Sequence, residues 1–453
     1  MKGIFCQLKV VYYFQFLNFY LETMINKHFV TSYLIIILFV NYQICLAQQV
    51  SYAKEVINML CSESMKGRGY VDNGDKNAAN FLASEFEKAG LKKYSKTYFQ
   101  TFTTPVNSFP GKMSLSVNGK KLRPGEDFLI DPGSPGISGK FSVEVLTAED
   151  LLSKDGWMSK IKNASSRFVV VSAFDKTKYS ADQLKHINDV ISFLKYSKEN
   201  PAKGVLILTT EKLTWSGSTE LFFKPCFTIK MSALSDAVAS IEIAAENKFL
   251  KNHQTQNVIG YLEGTKKDSL LVFTAHYDHL GMMGNETMFP GANDNASGVS
   301  LLLNLVKHFS TSKPAYTVVF IAFAAEEIGL VGSKYFTDHP LFPLAKIKFL
   351  LNFDLAGTGD DGIQVVNGKV YQKKFDLMTK LNDQGKLLKQ IKIRGEACNS
   401  DHCMFHAKGV PCFFIYTLGG IQAYHDIYDR PDTLPLTDYQ DYFTLLVKFI
   451  ENL

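Results

Sequence analysis

The sequence predicts an α/β protein with a smaller, β-rich domain inserted into it. Three observations carry this. From Ser269 onward, short apolar runs alternate with amphipathic stretches, the pattern of a sheet covered on both faces by helices. Between residues 105 and 252 the texture changes to Pro/Gly turns, such as Pro132-Gly-Ser-Pro135-Gly, and short β-branched runs. The length of 453 residues exceeds one ordinary domain.

The elements follow in chain order. Residues 1–47 read as a targeting segment: a basic start around Lys27-His28, an apolar run from Ser32 to Ile44, and small residues at Cys45-Leu-Ala47. The likeness is to a bacterial secretory signal cut before Gln48, which implies a periplasmic or secreted protein. The run is short for a membrane span, and a lipoprotein reading fits poorly because Tyr42, Gln43 and Ile44 are not small. Residues 1–23, crowded with Phe and Tyr, stand upstream of a complete signal, so Met24 is the expected start. Residues 78–90 carry apolar positions at helical spacing and end in Gly90. In the insertion, Phe168–Ser172 and Gly204–Thr209 read as buried strands. Beyond it, strands are expected at Ser269–Ala275, Tyr316–Ala324, Lys348–Leu355 and Cys412–Thr417. Helices are expected at Ser297–Phe309, Leu330–Asp338, Tyr371–Asn382 and Tyr439–Ile450. The first domain is thus discontinuous, 48–104 with 253–453, around the insertion at 105–252.

Composition narrows the function. Hydrophobic residues make up 46% of the chain and charged residues 21%, ordinary for a large core. A net charge of +5, without a basic stripe and interleaved aromatics, does not suggest a nucleic-acid partner. Of the seven cysteines, Cys398 and Cys403 are close enough for a small disulfide loop in an oxidising compartment; two unpaired thiols are the alternative. The cysteines lack zinc-finger spacing.

Charged residues collect at the ends of the apolar runs. His276-Tyr-Asp278, Glu326-Glu327 and Asp354 each close a strand, where ligands gather in open α/β sheets. Buried unpaired charge is costly, so a divalent cation is the natural partner. Asp294 stands before a helix; helix capping is the competing reading. Glu326 and Glu327 can divide labour between base and ligand, whereas an acidic turn would be the plain alternative. His425 lies in a polar loop, where a lone histidine is ordinarily just exposed.

Together these motifs, Thr-Ala-His276-Tyr-Asp278-His-Leu-Gly, Pro-Gly-Ala-Asn-Asp294-Asn, Ala-Glu326-Glu327, Asn-Phe-Asp354 and Tyr424-His425-Asp, resemble the M28 family of zinc-dependent aminopeptidases. The resemblance implies a three-layer phosphorylase/hydrolase-like sandwich with a mixed sheet. It implies two zinc ions, one held by His276, Asp294 and Asp354, the other by Asp294, Glu327 and His425, with Asp294 bridging. It implies Glu326 as the base acting on a shared water, Asp278 as the group orienting His276, and Tyr424 as a donor to the oxyanion. Ser400-Asp401-His402-Cys-Met-Phe405 resembles a segment that walls the substrate pocket, placing Asp401, His402 and Phe405 there; a capped helix start is the alternative for the first two. The insertion resembles a protease-associated domain. The implied activity is hydrolysis of N-terminal peptide bonds, with peptide or protein N-termini as partners and no stable membrane span after signal removal. Glutaminyl cyclisation, and dipeptidase or carboxypeptidase action, are the alternatives within the fold. A non-catalytic binding protein is disfavoured because every ligand position is filled.

Overall fold

The computed structural model of the chain describes residues 49–312 and 314–453. The expected signal segment, with Met24 and Cys45, lies outside the described residues. The fold is mixed α/β. One eight-stranded sheet has the order Phe99–Ser108, Lys248–Leu262, Tyr316–Phe323, Lys266–His276, Ile347–Asp354, Cys412–Thr417, Ile363–Val366, Ile391–Ile393. Its four central strands, from Tyr316–Phe323 to Cys412–Thr417, run parallel. Antiparallel strands flank them on either side, so the sheet is mixed.

Each central strand is apolar on both faces because helices cover both. On one face, Leu270, Val272 and Ile321 pack with Phe336 and Phe405, which come from helices Val331–Asp338 and His402–His406. On the other, Phe273 stacks on Phe309 of helix Gly298–Thr311, and Phe413 stacks on Phe449 of helix Tyr439–Glu451. Side chains alternate along a strand. His276 therefore shares the face of Val272 and Thr274, and Asp354 that of Leu350 and Asn352. Thr274 and Asn352 are partners in register and hydrogen-bonded at 2.6 Å.

The expected strands and helices of this sheet appear within three residues at each end. The short strands Ile363–Val366 and Ile391–Ile393 were not foreseen; four and three residues give too little periodicity to read.

Residues 113–245 build a second eight-stranded sheet. Its strands Ile137–Leu146, Phe168–Val171, Gly204–Thr209 and Cys226–Lys230 are parallel neighbours, the first three connected through helices that the β-rich reading omitted. The longest, Ala181–Tyr196, starts with a capping box between Ser180 and Gln183 and buries Ile187, Val190 and Leu194. The long antiparallel pair Phe99–Ser108 and Lys248–Leu262 joins the two lobes and crosses residues 104 and 253, where the sequence placed boundaries. A continuous core bridges the lobes as well: Phe109 and Trp215 pack with Leu280, Met283 and Phe289. Among the described residues, no helix is long and apolar enough to cross a membrane. Cys398 and Cys403 are disulfide-bonded.

Phe405 corrects one expectation. It is fully buried, 5.6 Å from the Phe336 ring and 5.9 Å from that of Phe323, and is core rather than pocket wall. The pairing of apolar rings beneath the sheet outweighs any pull toward the cleft. Phe405→Ala is accordingly expected to cost about 3–5 kcal/mol of folding stability in urea denaturation. A wall residue would instead change substrate affinity and leave stability intact.

Candidate metal centre

Three adjacent parallel strands deliver the site. His276 closes its strand, Asp354 closes the neighbour on one side, and Glu326-Glu327 follow the neighbour on the other. At each exit the chain must bend at once to bring a polar side chain over the sheet edge. Ala325 and Leu355 do so in the left-handed region, with φ of 59° and 50°. His425, in the loop after Cys412–Thr417, is itself left-handed at 53°. Asp294 sits in the turn before helix Gly298–Thr311, and its carboxylate caps nothing there.

The geometry gathers the expected ligands. His276 Nε2 lies 3.4 Å from Asp294 Oδ1 and 3.4 Å from Asp354 Oδ2. His425 Nε2 lies 3.0 Å from Asp294 Oδ2 and 3.1 Å from Glu327 Oε2. Ligand atoms of His276, Asp294 and Glu327 fall within 4.8 Å of one another, as do those of His276, Glu326 and Asp354. Two donors about 2.1 Å from a tetrahedral ion stand about 3.4 Å apart. The His276 pairs therefore have the spacing of ligands around a common ion. Asp354 Oδ1, buried and without a hydrogen-bond partner, is one more atom that a cation would satisfy.

Electrostatics sort the groups. Burial pulls both imidazoles toward neutrality, but the carboxylates outweigh it. Glu326 and Asp354 lead in holding His276 well above its ordinary range, and Glu327 with Asp294 pushes His425 up to about 11. Against burial, hydrogen bonds from His276 and His425 hold Asp294 well below the usual carboxylate range. Against burial and the repulsion of Asp294, His425 and His279 bring Glu327 down to about 2. Glu326 moves the other way: burial raises it, and Glu327, Asp401 and Asp354 add to the rise against the pull of His276. The two adjacent glutamates thus differ by environment, as a ligand and a proton acceptor should.

Asp278 plays a further part beyond the one expected. Its carboxylate stands 3.8 Å from His276 Nδ1, and its backbone carbonyl is the nearer group at 3.2 Å. The carboxylate instead accepts the backbone N–H of Glu326 at 3.0 Å and of Glu327 at 3.3 Å. Two amide donors outcompete a single imidazole for its oxygens, so Asp278 fixes the glutamate turn. Tyr424 stacks on the His425 ring with centroids 4.0 Å apart and is 45% exposed. Asp401 is fully buried, and burial raises its carboxyl to about 6 against the pull of His276 and Ser333. His402 bonds Ala397 O at 2.9 Å and stacks on Phe414, which turns it away from the ligands.

Four supporting residues escaped the sequence reading. His279 Nδ1 donates to Glu327 Oε1 at 2.7 Å, leaving Oε2 for His425. Its position one residue after Asp278 was the available signal. Asp429 accepts the backbone N–H groups of Asn293 and Asp294 at 2.7 and 2.9 Å. Arg68, fully buried, donates to the carbonyls of Tyr277, Pro290, Gly291 and Asp294, so one guanidinium ties the His276 segment to the Asp294 turn. Trp215 presents its carbonyl to His425 Nδ1 at 2.9 Å. Nothing in the sequence around Arg68 or Trp215 distinguishes them from surface or core residues.

Residues 257–450 match the profile of Peptidase family M28. Aminopeptidase YwaD of Bacillus subtilis is 29% identical over 180 residues, 37% of this chain and 37% of that protein. A probable zinc metalloprotease of Pyricularia oryzae is 40% identical over 111 residues, 23% of this chain and 22% of that protein. The chain thus matches well under half the length of these relatives. Among solved structures, a zinc aminopeptidase from Bacillus subtilis superposes with a TM-score of 0.64 at 21% identity, covering 89% of this chain and 94% of that one. A peptidase M28 precursor from Shewanella amazonensis gives 0.63 at 17% identity, covering 91% and 96%. The fold is shared across both lobes, and the likeness to Peptidase family M28 falls on residues 257–450.

Proposed function

We propose that this chain is a zinc-dependent aminopeptidase with two metal positions, acting on the N-termini of peptides or proteins. The observation that carries the reading is the division of one carboxylate: Asp294 directs Oδ1 toward His276 and Oδ2 toward His425. A bridging ligand requires that arrangement. His276, Asp294 and Asp354 would hold one zinc, and Asp294, Glu327 and His425 the other. The carboxylate and imidazole donors suit zinc. The aminopeptidase and metalloprotease names of the relatives support the same reading.

Zinc, when bound, would polarise the scissile carbonyl and acidify water in the cleft. The chain's own residues supply the remainder. Glu326, off the ligand set and with a raised carboxyl, accepts the proton of the attacking water and returns it to the leaving amine. Asp278 holds the backbone of Glu326 and Glu327 in place. The Tyr424 phenol is pushed up by burial and by four nearby carboxylates, so it remains protonated and can donate to the oxyanion. Export to an oxidising compartment is supported by the Cys398–Cys403 disulfide and the signal-like residues 24–47.

Three measurements test this. Glu326→Gln should lower kcat on aminoacyl substrates by about 10²–10⁴-fold while zinc content by elemental analysis stays unchanged; retained turnover refutes the base assignment. Zinc content should fall by about half in Glu327→Ala and further in Asp294→Ala, since only Asp294 serves both positions; equal losses would sink the bridge. Chelation should lower the melting temperature because it leaves the carboxylates facing one another, and zinc restored at 100 times its Kd should return about 2.7 kcal/mol.

A further inference from the structure

His425 is carried by a loop that does not hold itself. Residues 419–424, Gly-Gly-Ile-Gln-Ala-Tyr, have no helix or strand. Among the described residues, no backbone-to-backbone hydrogen bond ties them down. Gly420 has open space around its Cα. What holds this loop comes from the other lobe, from the segment that follows strand Gly204–Thr209.

Lys212 reaches three acceptors on the loop. Its ammonium lies 2.7 Å from the buried carboxylate of Asp426 and donates to the carbonyl of Tyr424 at 3.1 Å and to that of Gln422. Three residues on, the Trp215 N–H donates to the His425 carbonyl at 2.8 Å, and the Trp215 carbonyl accepts from His425 Nδ1 at 2.9 Å. Trp215 is itself anchored: its indole donates to Ile130 O at 2.7 Å, and its ring lies 4.8 Å from that of Phe289. The imidazole is thereby caught between a carbonyl on Nδ1 and the carboxylates on Nε2. A carbonyl on one ring nitrogen fixes the tautomer that presents the other to a metal.

We infer that Lys212 is a positioning residue for the metal centre, and that the second lobe completes the His425 metal position through it. This rests on the reading of His425 as a metal ligand. Lys212 touches neither metal ligand atoms nor substrate. It ties Gln422 and Tyr424 to Asp426, offsets the charge of Asp426 next to the ligand, and sets where the His425 backbone meets Trp215. Without it, the 419–424 loop loses its cation and His425 must pay ordering entropy on binding metal.

The test is metal affinity rather than turnover. Zinc is titrated into the metal-free full chain against a chromophoric chelator. Lys212→Met should weaken one of the two zinc equivalents by about 10–100-fold, the size of effect outer partners of ligands ordinarily have, and leave the other unchanged. Lys212→Arg should restore most of the loss. Lys176→Met, which removes an exposed ion pair with Glu211 in the same region, should change neither equivalent. If Lys212→Met does not fold, Asp426→Asn removes the same ion pair from the other side and should give the same selective loss. Unchanged affinity for both equivalents, or equal weakening of both, overturns the inference while leaving the two-metal reading intact. An unmodified chain that binds no zinc overturns both.

Discussion

A set of carboxylates must be kept together where water is largely excluded. Asp278, Asp294, Asp354, Asp401 and Asp429 are all buried, and Glu326 and Glu327 stand among them. Bringing one isolated carboxylate into such a medium costs far more than any single packing contact returns. Three imidazoles, His276, His279 and His425, are fewer than the seven acidic groups they face. Burial raises the carboxyls of Asp278, Glu326, Asp401 and Asp429 in response, and much of the surrounding structure can be read as the means of meeting the charge that remains.

The scaffold divides the carboxylates into two kinds. Asp278 and Asp429 are satisfied by backbone amides and serve as clamps, one on the Glu326-Glu327 turn and the other on Asn293-Asp294. Those dipoles offset part of the cost of burial, which still raises Asp278 to about 7 and Asp429 to about 6. Asp294, Glu327 and Asp354 are left to face the imidazoles and each other. Arg68 marks the contrast. Among the described residues it is the one fully buried guanidinium, yet it donates to backbone carbonyls rather than to a carboxylate. Spending it on the Asp294 turn keeps the ligand oxygens free of a competing cation.

How much of this was legible follows from the range of each interaction. The central strands could be read because burial on both faces writes long apolar runs, and the ligands because they stand at the ends of those runs: His276 after Ala275, Asp354 after Phe353. The fold of the insertion was read less well: helix Ala181–Tyr196 carries Ile187, Val190 and Leu194 at helical spacing behind the Ser180–Gln183 capping box, a signal passed over in favour of the flanking β-branched runs. Phe405 was misplaced because a motif likeness says which residues travel together and not which way each ring points; that is decided by Phe336 and Phe323, about 70 and 80 positions away. Asp278 was read only in part for a similar reason. Proximity to His276 in sequence suggested one partner, and the amides of Glu326 and Glu327, brought close by sheet order, supplied better ones. Arg68 and Trp215 act through backbone carbonyls over 200 residues away, which no local pattern encodes.

The same long-range dependence explains where the chain accepts strain. Ala325, Leu355 and His425 each adopt positive φ without being glycine, at a cost on the order of 1–3 kcal/mol apiece. Each flanks or is a site residue, Ala325 and Leu355 just past the ends of parallel strands and His425 in the loop beyond one. A glycine would relax the backbone there but would also free it in the unfolded chain and loosen the exit. A side-chain-bearing residue held in that conformation gives a turn that is sharp and stiff at once. The surrounding clamps, Asp278 for the turn after Ala325 and Trp215 for His425, lie where such a turn would otherwise spring open. Strain and clamp are thus two halves of one device: the strand exits are bent to converge the ligands, and the hydrogen bonds from distant segments hold them bent.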